Sequence, residues 1–163
     1  MSVKTAPHVS PVMRELSRYI ASALRKPLPA PVAEKTKHHV LDTIAAMLSG
    51  SRLAPGKMAI SFVRTLGGVN EACVVGSRIT TSAANAALAN GMLAHADETD
   101  DSHAPSLTHP GCGIVPAALA MAERERRNGA ALIRAGLLAG VWRGRVLSPH
   151  RVRISSVDQF PKR

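Results

Sequence analysis

The chain has 163 residues, 45% of them apolar and only 2% aromatic, with a formal net charge of +10. This length supports one domain with a core of its own, and the scarcity of aromatics means the core is built from Ala, Val, Leu, Ile and Met. Two cysteines (Cys73 and Cys112) without metal or disulfide spacing, no apolar leader in MSVKTAPHVS and no membrane-length apolar run imply a soluble, reduced, cytoplasmic protein.

Helical periodicity dominates from Pro11 onward, after a flexible stretch at 1–10. Pro11–Leu24 sets Val12, Leu16, Tyr19, Ile20 and Leu24 on one face. KPLPAP is a linker, and Pro31 opens a helix to Leu48 in which Val40, Ile44, Met47 and Leu48 share a face and Gly50 is the expected stop. Pro55–Leu66 is a shorter helix closed by Gly67–Gly68. Glu71–Val75 reads as a brief strand or extended connector. Thr81 or Ser82 caps an Ala-rich helix running to about His95, whose small residues allow burial on most sides.

An irregular segment follows, with Pro105 and Pro110 opposing helix. Gly113–Arg127 is helical again, with Glu123 and Arg127 spaced for an ion pair, and Asn128 caps a last helix, Gly129–Trp142. The pattern is all-α: an Ala-rich, bundle-like domain of about six helices (11–142) with one acidic loop. Residues 143–163 lack a helical stripe and read as an irregular basic tail of frameshifted or non-native origin. The charge is uneven: +7 over 1–90, −2 over 91–142 and +5 over 143–163. The basic residues are scattered and not interleaved with aromatics, which argues against a nucleic-acid partner.

The chemistry concentrates in HADETDDSHAPSLTHPG, the seventeen residues from His95 to Gly111. Four carboxylates (Asp97, Glu98, Asp100, Asp101) and three histidines (His95, His103, His109) lie together there. Mutually repelling acids held close are suited to acid/base work. Imidazole is the side chain suited to carrying protons at physiological pH, which makes His109 the natural proton carrier. Asp100 and Asp101 read as turn-capping acids that bond backbone N–H groups, and His95 as a satisfied residue at a helix end. A metal site is the competing chemistry, because Asp97, Asp100, Asp101, His103 and His109 offer oxygen and nitrogen donors; their spacing matches no metal motif.

Read with its neighbours, the loop resembles the MmgE/PrpD family, which includes 2-methylcitrate dehydratases and cis-aconitate decarboxylases. Asn90–Gly91, His95–Ala96, Asp100–Asp101, His103, His109–Pro110–Gly111 and Val115–Ala120 match its pattern in order. HHVLDTIAAMLSGS (His38–Ser51) is similar to the family's early helix. The resemblance covers roughly residues 10–142 and implies the N-terminal part of a larger helical domain. It further implies a lyase that dehydrates or decarboxylates a small polycarboxylate, assembled as a homodimer, with no metal or organic cofactor.

Carried across by position, the family's catalytic Asp falls on Glu98, its Thr on Ser102, and the His of its H-P-G on His109, with Asp100, Asp101 and His103 as supporting residues. Thr99 stands where the family has Phe, and Asp97 is an additional acid. Family members also hold substrate carboxylates with basic and tyrosine side chains from later segments. A truncated lyase fragment, inactive alone, is therefore expected; the alternative is a non-catalytic helical remnant or dimerising module.

Overall fold

The computed structural model describes residues 9–23, 25–96, 98–104 and 107–147, the stretch 139–147 by backbone alone. The helices are α1 (Pro11–Ala23), α2 (Ala30–Gly50), α3 (Ala54–Leu66), α4 (Ala83–His95), α5 (Gly111–Arg124) and α6 (Gly129–Leu147). Between α3 and α4, β1 (Ala72–Cys73) and β2 (Thr80–Thr81) form an antiparallel hairpin, with Ala72 opposite Thr81 and Cys73 opposite Thr80. The fold is all-α apart from that ribbon. No helix among the described residues is long and apolar enough to cross a membrane.

The local signals explain most boundaries. Ser10 Oγ accepts from the Met13 N–H at 3.2 Å and caps α1. Gly67, at φ 63°, ends α3 in a conformation that a side chain would resist. Ser82 Oγ accepts from Asn85 N–H at 3.3 Å to open α4, and Asn128 Oδ1 accepts from Ala131 N–H at 3.1 Å to open α6. Arg134 on α6 donates to the carbonyls of Ala23 and Lys26 at 2.8 and 2.7 Å, tying down the chain at the end of α1.

α4 is the central helix and packs on α2, α3 and α5. Ala86, Ala89, Leu93 and Ala94 are wholly buried, and Met47 (α2), Val63 (α3), Val74 and Val115 (α5) close around them. Full burial of a side chain such as Leu93 contributes about 2 kcal/mol. The small residues matter as much as the large ones. A Cβ on Gly50 would run into the Leu93 carbonyl, and one on Gly56 into the Gly50 carbonyl, so three helices meet almost backbone to backbone.

Four expectations need correction. Gly50 does not stop α2; it is the last helical residue, kept small by the approach of α4, and the turn follows at Ser51. Pro110 does not hold off α5, which starts at Gly111 rather than Gly113, because the residue just before a helix needs no N–H partner and proline's fixed φ suits it. At its other end α5 stops at Arg124, and Glu123 reaches Cys73 instead of Arg127. Finally, α6 continues to Leu147, five residues beyond Trp142. RGRVL holds no proline, and the first strong breaker in sequence is Pro149. The rest of the tail, and residues 1–8 of the flexible stretch at 1–10, lie outside the described residues.

The hairpin is fastened by side chains. Cys73 N–H donates to Glu123 Oε2 at 2.6 Å, while Asn90 Nδ2 donates to the Cys73 carbonyl at 3.0 Å and Asn90 Oδ1 accepts from Val75 N–H at 2.9 Å. Every one of these backbone groups points away from β2, so two helices satisfy the edge that a third strand would otherwise occupy. The Cys73 thiol also donates to Glu123 Oε1 at 3.0 Å. Burial and the neighbouring carboxylate push its pKa up to about 11, leaving a protonated, unreactive thiol.

Candidate acid/base site

The loop joining α4 to α5 is held at both ends. Asp101 Oδ1 accepts from Gly111 N–H at 2.7 Å, and a Cβ at Gly111 would collide with Asp101 and Thr43 of α2. Glycine therefore lets the start of α5 press against α2 and the loop together. A short bridge between His103 and Thr108, with His103 N–H donating to the Thr108 carbonyl at 2.8 Å, closes the loop on itself. Cys112 Sγ donates to the His109 carbonyl at 3.1 Å. His109 is thus placed by the first turn of α5 and by the loop bridge.

The loop brings three groups together that sequence spacing alone did not pair. The Asp100 carboxylate is fully buried, and His95 Nδ1 lies 3.3 Å from both of its oxygens. His109 Nδ1 approaches Asp100 Oδ1 from the other side, at 3.4 Å. The approach is too oblique for an N–H···O bond, and this buried nitrogen makes no hydrogen bond at all. The two imidazoles are inclined at 56° with centroids 5.2 Å apart. Taken one atom per residue, the donor atoms of His95, Asp100 and His109 all lie within 4.8 Å of one another, a set able to hold a cation.

The sequence-derived candidates are distributed around this cluster. Ser102, His103 and His109 line an open depression of about 300 Å³ together with Ala104, Leu107 and Thr108. Glu98 is exposed, in a left-handed backbone conformation at φ 57°, and is not among the residues lining the depression. Asp100 does not cap a turn from the surface; it is the buried centre of the cluster. His95, at the end of α4, is satisfied as expected, with Asp100 as its partner. The sequence signal for that pairing was the last-turn position of His95 five residues before Asp100. Of the five donors proposed for a metal site, Asp100 and His109 belong to the cluster; Asp97 lies outside the described residues, as does Pro105.

Comparison with known proteins agrees with this architecture. Residues 14–153 match the MmgE/PrpD N-terminal domain. The chain is also similar to the cis-aconitate decarboxylase-like protein oryM of Aspergillus oryzae, 28% identical over 117 residues, covering 72% of this chain and 24% of that protein. It therefore spans about a quarter of the length of that curated relative. No solved structure matches it. With most of its length aligned to the family's helical domain, and the acidic loop in place between α4 and α5, this chain belongs to the MmgE/PrpD family.

Proposed function

We propose that this chain carries the acid/base half of a lyase site that dehydrates or decarboxylates a small polycarboxylate such as 2-methylcitrate or cis-aconitate. The observation that carries the reading is the His109–Asp100–His95 cluster beside an open depression in the family's motif loop. Elimination or decarboxylation next to a carboxylate needs one group to take a proton and one to return it. His109 turns Nδ1 toward Asp100, which leaves Nε2 as the nitrogen for the substrate. Ser102 lines the same depression and offers a hydroxyl to a substrate carboxylate. Glu98 is assigned the second carboxyl role, reached by movement of the exposed loop on substrate binding.

The name of the Aspergillus relative favours a carboxy-lyase; dehydration remains the other branch of the same chemistry. In the whole protein, basic groups from elsewhere would hold the anionic substrate, since 91–142 is itself net acidic. Exposed Leu41 and Leu48 on α2, with Met58 and Phe62 on α3, support assembly through helix faces, and a homodimer is proposed.

The test is incubation of the purified chain with cis-aconitate, 2-methylcitrate and citrate, followed by ultraviolet absorbance of the unsaturated acid. Turnover abolished by His109→Ala supports the lyase reading. A folded, oligomeric protein that turns over none of them supports the alternative, a non-catalytic helical module.

A further inference from the structure

We propose that His95, Asp100 and His109 form a binding site for a divalent transition-metal ion, Zn²⁺ foremost, on the loop between α4 and α5. The first support is the donor set. Two imidazole nitrogens and one carboxylate oxygen are borderline ligands that suit Zn²⁺, Co²⁺ or Fe²⁺ rather than the harder Mg²⁺ or Ca²⁺.

The second support is the spacing. The three N···O separations are 3.3, 3.3 and 3.4 Å, longer than a charge-assisted N–H···O bond of about 2.8 Å. Zinc bonds of about 2.0–2.1 Å at tetrahedral angles place neighbouring ligand atoms about 3.3–3.4 Å apart, the spacing of the two His–Asp edges here, while the His95–His109 edge lies within 4.8 Å. The third is the stranded nitrogen. His109 Nδ1 is buried without a hydrogen-bond partner, and a cation seated between it and Asp100 Oδ1 satisfies it without asking for a straight N–H···O line.

The surroundings fit. Asp100 is fully buried, so the anionic ligand is fixed and poorly screened. The His95 side chain is 53% exposed at the end of α4, free to swing the small distance that closes the third edge. Three protein ligands leave a tetrahedral ion one further position, which water or a ligand carboxylate would fill.

Binding stands on this geometry alone; its consequence rests on the lyase reading. An imidazole ligated through Nδ1 carries its proton on Nε2 and has no lone pair there to accept another. The ion is therefore an inhibitor of a base at His109, not a cofactor, and the site is a point of control by metal availability.

The experiment is titration of the full chain, freed of metal by chelation, with Zn²⁺ by calorimetry and with Co²⁺ by visible absorption. One ion per chain at micromolar affinity, with intense Co²⁺ bands of four-coordinate geometry, is the expected result. His95→Ala, Asp100→Asn and His109→Ala each weaken it at least tenfold, the scale of even an outer-shell change. His38→Ala, an exposed histidine of α2 outside the donor set, leaves it unchanged. His95→Ala serves where the buried Asp100→Asn fails to fold, with circular dichroism reporting folding. Absence of binding at micromolar Zn²⁺, weak octahedral Co²⁺ bands, or binding lost in His38→Ala but kept in His95→Ala overturns the proposal. Because none of these readouts needs turnover, failure here leaves the lyase reading standing, and failure of turnover leaves the site standing.

Discussion

Asn90→Ala tests how far the family's Asn-Gly pair is a structural device. The Asn90 side chain is 1% exposed and makes two hydrogen bonds to the backbone of β1 and the residues after it. Truncation strands the partly buried Val75 N–H and Cys73 carbonyl without their side-chain partner. Each unsatisfied group costs about 1–3 kcal/mol, so the loss for the two is about 2–6 kcal/mol. For a chain of this size that lowers Tm by roughly 4–24 °C. Equilibrium urea denaturation followed by circular dichroism gives the free energy and the m-value together. Asn90→Asp, which keeps an acceptor but puts a charge against a carbonyl, destabilises to a similar degree at neutral pH. A loss below about 1 kcal/mol at unchanged m would refute the reasoning, since it would mean that water or a relaxed backbone replaces both bonds at little cost.

Three further outcomes follow from the same packing. Cys73 should react with iodoacetamide at pH 8 at least about tenfold more slowly than a small free thiol, and Glu123→Gln should speed it; mass spectrometry of the labelled peptide reads both. Because the folded thiol holds its proton up to about pH 11 while an unfolded one releases it near 9, this group's contribution to stability declines as pH rises across that window. Gly50→Val should cost about 3 kcal/mol or more, or prevent folding, by driving α2 from the Leu93 carbonyl, and soluble yield with thermal melting reports it. Arg134→Ala removes both bonds to the end of α1, costing about 1–2 kcal/mol and exposing the 24–29 segment to limited proteolysis before the core.

The helices were legible because prolines, glycines and capping residues punctuate them: Pro31, Gly67, Ser82 and Asn128 all sit where local chemistry places a boundary. β2 was not, since Thr80–Thr81 is too short for alternation to register and is defined by its partner. Gly50 was misread for a related reason: a glycine near a helix end looks like a stop, and only the crossing of α4 reveals a contact. The loop's motif was visible, and so was the importance of His109. Its inner wiring was not. That Asp100 turns inward while Asp101 takes the α5 backbone depends on how a proline-rich turn folds, and neighbouring acids carry no periodic signal to separate them.

The fastened hairpin also bears on how this protein would go wrong. Strand-by-strand growth into fibrillar aggregates needs unsatisfied amides on a sheet border, and those along β1 are already engaged by Asn90 and Glu123. An incoming chain has to wait until α4 or α5 lets go. Aggregation of the native protein should therefore keep pace with local opening of those helices, and a substitution at Glu123 would hasten it without touching a single apolar surface residue.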